Sequence, residues 1–162
     1  MAISPEVSVS ESERMERFSA RASPLRAREA VLASKVVDFV NTGKPFGAIC
    51  HGPLVLARAI DPRTGKSVLH GRKSTCLPGY MERTAYFLTA WKLGRYYRTS
   101  EAYVEAELRA AGAEFIRGPR TLSARGTRSD DGPAFVVEDG AYVSARWPGD
   151  SYLFARKLLE RL

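Results

Sequence analysis

The feature that most constrains this chain is a short apolar segment that leads into a cysteine-containing turn and then a helix. Residues 45–49 form an apolar run opened by a Gly-Lys-Pro turn, too short for a helix and typical of a strand buried on both faces. Gly52 and Pro53 follow directly, and proline is tolerated in a helix only in its first turn. The pattern therefore predicts a strand, a tight turn at Cys50, and a helix that begins near Pro53.

Cys50, at the junction of this strand and helix, is a candidate nucleophile. The start of a helix presents unpaired backbone N–H groups and the positive end of the helix dipole, and both favour a thiolate. His51 is able to take the thiol proton if its ring turns toward the sulfur, although adjacent residues on a bent chain need not face each other. Backbone N–H groups near Gly52 are candidate oxyanion donors. The alternative is a buried cysteine that serves only as a small hydrophobic residue.

Several segments of the sequence resemble the DJ-1/PfpI superfamily, which has a class I glutamine amidotransferase-like fold. Residues 48–53, Ala-Ile-Cys-His-Gly-Pro, resemble the nucleophile motif of its PfpI-type branch. Residues 69–75 resemble the family's turn into a strand, and residues 142–150 resemble its closing strand and the turn after it. Residues 154–159 are similar to its last helix, so the resemblance extends from about Leu25 to the C-terminus.

The resemblance implies an α/β, flavodoxin-like three-layer sandwich with a mainly parallel sheet, followed by a C-terminal β-hairpin and helix. It also implies cysteine-dependent hydrolase chemistry, of peptidase, amidase or glyoxalase type, on a carbonyl group of a small-molecule or peptide substrate. Some branches place a catalytic carboxylate about as far beyond the cysteine as Glu82, where it would orient His51 beside Cys50. The alternative for Glu82 is a charged residue that favours the start of a helix.

The sequence departs from the family before the cysteine motif. Family members carry several further strands there, with an acidic residue that hydrogen-bonds the sulfur and a glycine-rich turn beside the oxyanion site. We therefore expect an N-terminally truncated sheet with an apolar edge at the cysteine strand, which another copy of the chain would cover in a homo-oligomer. The alternative function is a non-catalytic stress-response, redox-sensing or chaperone-like protein of the same fold, inactive because those upstream groups are missing.

Length and composition predict one ordinary folded domain. The chain has 162 residues, enough for a real core, and no apolar run long enough to span a bilayer. The sequence shows no charged leader followed by an apolar stretch, the pattern that would indicate secretion. We therefore expect a reducing, cytoplasmic setting. Cys50 and Cys76 show neither C-x-x-C spacing nor nearby clustered histidines, so we expect no metal and no cofactor. Cys76 lies in an apolar strand and is predicted to be core.

The basic charge raises the question of nucleic-acid binding. The net charge is +7, but the arginines and lysines are scattered and accompany no known nucleic-acid motif. A mildly basic, solvated surface explains the composition better, with weak and salt-sensitive attraction to polyanions. We expect no specific nucleic-acid partner and no membrane partner.

The domain boundaries and helices follow from composition and periodicity. Residues 1–23 bury little apolar surface and are predicted to be frayed or disordered, whereas residues 24–162 form one domain. Apolar residues at intervals of three and four predict helices at residues 25–41, 81–97, 100–111 and 151–162. Gly43 is a candidate C-terminal cap of the first of these helices, and Ser100 a candidate N-terminal cap of the third.

Short extended segments make up the remainder of the predicted domain. Strands are predicted at residues 67–69, 74–77, 114–116, 122–124, 134–138 and 142–145. Asp139 and Gly140 predict a type I′ hairpin turn between the last two strands. Asp150 or Ser151 is able to cap the closing helix. His70 lies in a polar turn and is expected to face solvent.

Overall fold

The computed structural model describes residues 29–94, 102–120 and 124–162. Residues 33–162 form one compact unit, whereas residues 29–32 belong to a separate one. The N-terminal segment predicted over residues 1–23, and most of the strand predicted over residues 122–124, lie outside the described ranges, and both remain predictions.

Helix α1 spans residues 29–41 and is followed by a turn that contains Gly43, so it ends where its apolar pattern predicts. Val37 and Val40 are buried, and Val36 packs against the hydrophobic core. Gly43 adopts a φ of +70°, and its N–H donates to the carbonyl of Val40 at 3.1 Å. This left-handed glycine satisfies an open carbonyl at the end of the helix, so the predicted cap is confirmed.

The chain after α1 alternates short strands with helices. In chain order these elements are β1 (Phe46–Ile49), α2 (Pro53–Arg58), β2 (Ile60–Asp61), β3 (Lys66–Ser67), β4 (Lys73–Ser74), α3 (Gly79–Leu93), α4 (Val104–Ala110), β5 (Glu114–Phe115), β6 (Val136–Asp139), β7 (Tyr142–Ala145), a 3₁₀ turn (Pro148–Asp150) and α5 (Ser151–Leu159). No described helix is both long and apolar enough to cross a bilayer.

The main sheet has three strands in the order β1-β7-β6. Strand β1 runs parallel to β7, with Phe46 opposite Tyr142, and β6 runs antiparallel to β7. The main sheet is therefore mixed, whereas β4 and β5 form a separate parallel pair and β2 and β3 a separate antiparallel pair. The predicted α/β class is confirmed, although β3, β4 and β5 are shorter than the predicted strands.

The hydrophobic core lies around β1, β7 and helices α2 and α4. Its buried members are Ala48, Leu56, Ala57, Leu69, Cys76, Val104, Leu108, Phe115 and Tyr142. Cys76 is completely buried, which confirms its predicted core position. The ring of Tyr142 stacks on Phe46 at 4.9 Å, and its hydroxyl shares a hydrogen bond of 3.0 Å with Ser74. The core therefore satisfies the polar end of its largest aromatic residue.

The C-terminal hairpin is confirmed, but its turn lies one residue later than predicted. Asp139 pairs with Tyr142, so the two central residues are Gly140 and Ala141. Gly140 has a φ of +57°, whereas Ala141 is not among the residues with positive φ, which excludes a type I′ turn. The carboxylate of Asp139 instead accepts the backbone N–H of Lys73 at 2.6 Å. This contact explains why an aspartate occupies the last position of β6.

Helix α4 begins at Val104, later than the predicted start, and Ser100 lies outside the described residues. No local side chain caps this helix. The backbone N–H of Val104 donates to the carboxylate of Glu82 at 3.1 Å. The cap of α4 is thus supplied by a residue of α3, and a cap of that kind leaves no local sequence signature.

The predicted capping of the last helix is wrong for both candidates. Asp150 occupies the N-cap position of α5 but makes no capping hydrogen bond with its side chain. Its carboxylate instead pairs with the guanidinium of Arg146, and both side chains are completely buried. The hydroxyl of Ser151 donates to the carbonyl of Pro148. A buried charge requires a partner, and pairing with Arg146 takes precedence over capping.

Candidate active site

Cys50 lies between the end of β1 and the start of α2, in the strand, turn and helix that the sequence predicts. Its φ is +63°, the only positive φ of any non-glycine residue in the described part of the chain. Its N–H donates to the carbonyl of Ala145 at 3.1 Å, and its own carbonyl accepts the N–H of Leu77 at 3.0 Å. These two hydrogen bonds hold Cys50 in a conformation that costs an L-residue roughly 1–2 kcal/mol.

Gly52 makes the turn after Cys50 tight. Its N–H donates to the carbonyl of Ile49 at 2.9 Å. A Cβ atom at this position would lie 3.0 Å from that same carbonyl oxygen, so only glycine fits without displacing the strand. The N–H that we expected to serve an oxyanion is therefore engaged inside the turn, and it would have to leave Ile49 before it could bind one.

His51 turns toward the sulfur, which the sequence alone left open. Its Nδ1 lies 3.4 Å from the Sγ of Cys50, and its side chain is half-buried. Its backbone N–H also donates to the sulfur and lowers the pKa of the thiol. Both the ring and the amide of His51 thus contact the same sulfur, which places a proton acceptor and a fixed dipole beside it.

The pKa of Cys50 is raised, contrary to the expectation of a favoured thiolate. Burial is the largest cause and raises the pKa; the His51 N–H lowers it, and the negative charge of Glu82 raises it further. Helix α2 has only six residues, so its dipole is a weak counterweight. The thiol is therefore the main form of Cys50 at neutral pH. Burial raises the pKa of Cys76 as well.

Glu82 lies near Cys50 and also caps the start of helix α4. It is only 2% exposed and is the one buried residue of α3. Its carboxylate accepts the N–H of Val104, and its charge is close enough to raise the pKa of Cys50. The structure therefore places Glu82 in the neighbourhood of the sulfur, and a role in orienting His51 remains a prediction.

The other candidate residues do not join this site. His70 is exposed, as predicted for a residue in a polar turn. Cys50 and Cys76 are both free thiols. Within residues 29–94, 102–120 and 124–162, no group of three or more histidine, cysteine, aspartate or glutamate side chains is placed to hold a metal ion.

Two contacts of Cys50 could not be read from the sequence. Its N–H donates to the carbonyl of Ala145, and its carbonyl accepts the N–H of Leu77. Both partners act through the backbone, so the identity of their side chains gives no signal. These contacts become apparent only in the folded chain, where β1 lies beside β7 and the segment that follows β4.

The fold and the turn together define a class: α/β proteins that present a cysteine where a sheet strand passes into a helix. The model of the DJ-1/PfpI family matches residues 20–161, and the chain belongs to this family. The family expected from residues 48–53 is thus confirmed.

Curated relatives and a solved structure agree with this family. Deglycase TK1284 of Thermococcus kodakarensis is 30% identical over 120 residues, covering 74% of this chain and 44% of the relative. Deglycase PYRAB04690 of Pyrococcus abyssi is 28% identical over 142 residues, covering 85% and 57%. Glyoxalase III from Candida albicans is similar in fold, with a TM-score of 0.57 and 22% identity over 78% of this chain and 46% of that one. The chain spans about half the length of the curated relatives it matches.

Proposed function

We propose that this protein is a cysteine-dependent enzyme of hydrolase or glyoxalase type that acts on the carbonyl group of a small molecule or peptide. The observation that carries this proposal is the 3.4 Å separation between Nδ1 of His51 and Sγ of Cys50, at a turn that holds the cysteine in a left-handed conformation. The curated relatives are named deglycases, which supports hydrolytic chemistry on modified carbonyl compounds.

The proposed first step is attack of the sulfur on the carbonyl carbon. The thiol proton of Cys50 passes to Nδ1 of His51 as the S–C bond forms, and the C=O π electrons move onto oxygen. The His51 N–H interacts with the sulfur, and we propose it as the backbone donor to the developing oxyanion. The imidazolium then returns its proton to the oxyanion or to the leaving group.

The raised pKa of Cys50 determines how this step proceeds. A stable thiolate is not the resting form of the buried sulfur, so the proton leaves only when a base receives it. His51 is the base in contact. We therefore propose general-base activation by His51, with Glu82 as a supporting carboxylate in the neighbourhood of the sulfur.

Turnover of an α-oxoaldehyde tests the proposal. Methylglyoxal is incubated with the protein, and its conversion to a hydroxy acid is followed by NMR. We expect conversion by the native protein and by Cys76→Ala, and none by Cys50→Ser. Conversion that survives Cys50→Ser, or is lost equally in both variants, would contradict Cys50 as the nucleophile.

A non-catalytic role is the second candidate, and the raised pKa of Cys50 favours it, because a reactive cysteine is usually more acidic than an ordinary one. Alkylation by iodoacetamide at neutral pH distinguishes the two. The enzyme proposal predicts faster labelling of half-buried Cys50 than of fully buried Cys76. Equally slow labelling of both thiols, measured by peptide mass spectrometry, would support the non-catalytic candidate.

A further inference from the structure

A cavity of about 340 Å³ opens between α3, α4 and the segment that follows β5. Four arginines line it, Arg83, Arg109, Arg117 and Arg120, and Glu105 is the single acid among the described residues of the lining. Neither Cys50 nor His51 lines this cavity. The charge around it is therefore strongly positive, and the cavity is separate from the site of the proposed reaction.

Two of the arginines neutralise the acid. Arg109 pairs with the carboxylate of Glu105 at 3.3 Å, and Arg117 pairs with the same oxygen. The backbone N–H of Gly79 also donates to Glu105, at 3.2 Å. Glu105 is thus fully occupied by partners from three elements, and its charge is not available to the other two arginines.

The other two arginines lie over aromatic rings. The guanidinium of Arg83 lies 5.4 Å from the ring centre of Tyr103, and that of Arg120 lies 5.7 Å from the ring centre of Tyr80. In the described part of the chain, no carboxylate forms an ion pair with either of them. Stacking holds a guanidinium in place while its N–H groups stay free for an oxyanion.

Tyr80 contributes a second, independent observation at this cavity. Its hydroxyl oxygen is buried and has no hydrogen-bond partner among the described residues. Buried hydroxyl groups without partners are uncommon and unfavourable, because the group has lost water without replacement. Tyr80 itself lines the cavity, so its hydroxyl is a donor for a ligand oxygen once the side chain opens toward that ligand.

We propose that this cavity binds the phosphate group of a small molecule. A phosphate carries nearly two negative charges at neutral pH and offers several acceptor oxygens, which match two guanidinium groups and one phenol. The cavity is larger than a phosphate group and falls within the size range of small-molecule sites, so it has room for the organic part of a phosphate ester. This inference does not depend on the proposed reaction at Cys50.

Binding of inorganic phosphate to the full chain is the test, followed by ³¹P NMR at constant ionic strength with chloride as the balancing anion. We expect saturable binding with a Kd on the order of 1 mM. Arg83→Gln and Arg120→Gln should each weaken it about tenfold, the effect of losing one charge-assisted hydrogen bond. Arg128→Gln, an exposed arginine outside the cavity lining, should leave the Kd unchanged.

Tyr80→Phe provides a variant that keeps the ring under Arg120 and removes only the hydroxyl. We expect weaker phosphate binding but no loss of stability without phosphate, since the hydroxyl has no partner to lose. Three outcomes would overturn the proposal: no saturable binding of phosphate, an equal effect of Arg128→Gln, or tighter arginine-dependent binding of succinate than of phosphate.

Discussion

The backbone at Cys50 is strained, and the turn at this residue is not held by the cysteine side chain. Its φ of +63° is a conformation that glycine adopts freely and other residues adopt at a cost. The hydrogen bonds to Ala145 and Leu77 are backbone bonds, so they survive any substitution except proline. A glycine would therefore relieve the strain, and the presence of cysteine points to a use for its sulfur.

This strain predicts an inverted stability order at residue 50. In ordinary positions glycine is about 0.5–1 kcal/mol less stable than alanine, whereas a left-handed position penalises alanine by roughly 1–2 kcal/mol. Cys50→Gly should therefore be more stable than Cys50→Ala in urea unfolding. At Cys76, which is not among the residues with positive φ, Cys76→Gly should be less stable than Cys76→Ala. If the alanine variant were more stable than the glycine variant at both positions, residue 50 would not be strained.

The charge of Glu82 predicts a gain of reactivity when it is removed. Glu82→Gln keeps an oxygen to accept the N–H of Val104 but removes the negative charge that raises the pKa of Cys50. A lower pKa increases the thiolate fraction at any pH below it, by about tenfold for each pKa unit. Alkylation of Cys50 at neutral pH should therefore be faster in this variant.

The matched control is Glu114→Gln, an exposed glutamate on β5, which should leave the rate unchanged. In the native protein the rate should keep rising with pH beyond the ordinary thiol pKa, because the raised pKa of Cys50 places its ionisation higher. A rate that levels off below that value, or falls in Glu82→Gln, would contradict the electrostatic argument.

The sequence predicted the position of Cys50 but not its acidity. The position follows from local signals: an apolar run, then glycine and proline within three residues. The acidity depends on how much protein surrounds the sulfur and on Glu82, which lies far along the chain. Burial and long-range charge are properties of the assembled fold, so a local argument from the helix dipole pointed in the wrong direction.

At the scale of elements, a buried ion pair joins the end of β7 to the start of α5. The guanidinium of Arg146 donates to both carboxylate oxygens of Asp150, at 2.9 and 2.8 Å, and to the carbonyl of Pro119 at 2.8 Å. The carboxylate also accepts the N–H of Phe135 at 3.0 Å. This pair therefore fixes the approach of the last helix and of two loops to the sheet.

Removing one member of this pair should be strongly destabilising. Asp150→Ala leaves a buried guanidinium without its carboxylate, and we expect a loss of about 3–5 kcal/mol in the free energy of unfolding. Glu107→Ala removes the partner of Arg58, whose side chain is 54% exposed, and should lose less than about 1 kcal/mol. Urea unfolding measures both, and losses of similar size would show that the Arg146 pair contributes no more than a surface pair.

The elements that the sequence predicted well are those with local signatures. Helix α1 ends as its apolar period and Gly43 indicate, and the hairpin between β6 and β7 forms with its turn one residue later than predicted. The N-terminal caps of α4 and α5 were predicted wrongly, because Glu82 caps α4 from another helix and Asp150 pairs with Arg146 rather than with its own helix. A rule based on residue spacing cannot identify a side chain whose hydrogen-bond partner lies far away in the sequence.

At the scale of the whole molecule, two surfaces are left uncovered by other elements of the described chain. Strand β1 is the last strand of the three-stranded sheet, so its outer edge carries unpaired backbone groups. Helix α3 exposes four large apolar side chains, Phe87 at 71%, Leu88 at 69%, Trp91 at 84% and Leu93 at 45%. A sheet edge and an apolar helix face of this kind are typical of surfaces that associate.

We therefore predict that the protein self-associates, as the sequence led us to expect. Light scattering after size exclusion, over a tenfold range of concentration, should give a mass above that of one chain. Trp91→Lys places a charge on the face of α3 and should shift the mass toward the monomer, because burying a lysine without a partner is unfavourable. Leu159→Lys, at an apolar position of α5 that is 67% exposed, is the control and should leave the mass unchanged. A monomer at every concentration would contradict the prediction. If Trp91→Lys and Leu159→Lys changed the mass equally, α3 would not be the interface, and the edge of β1 would be the surface to test next.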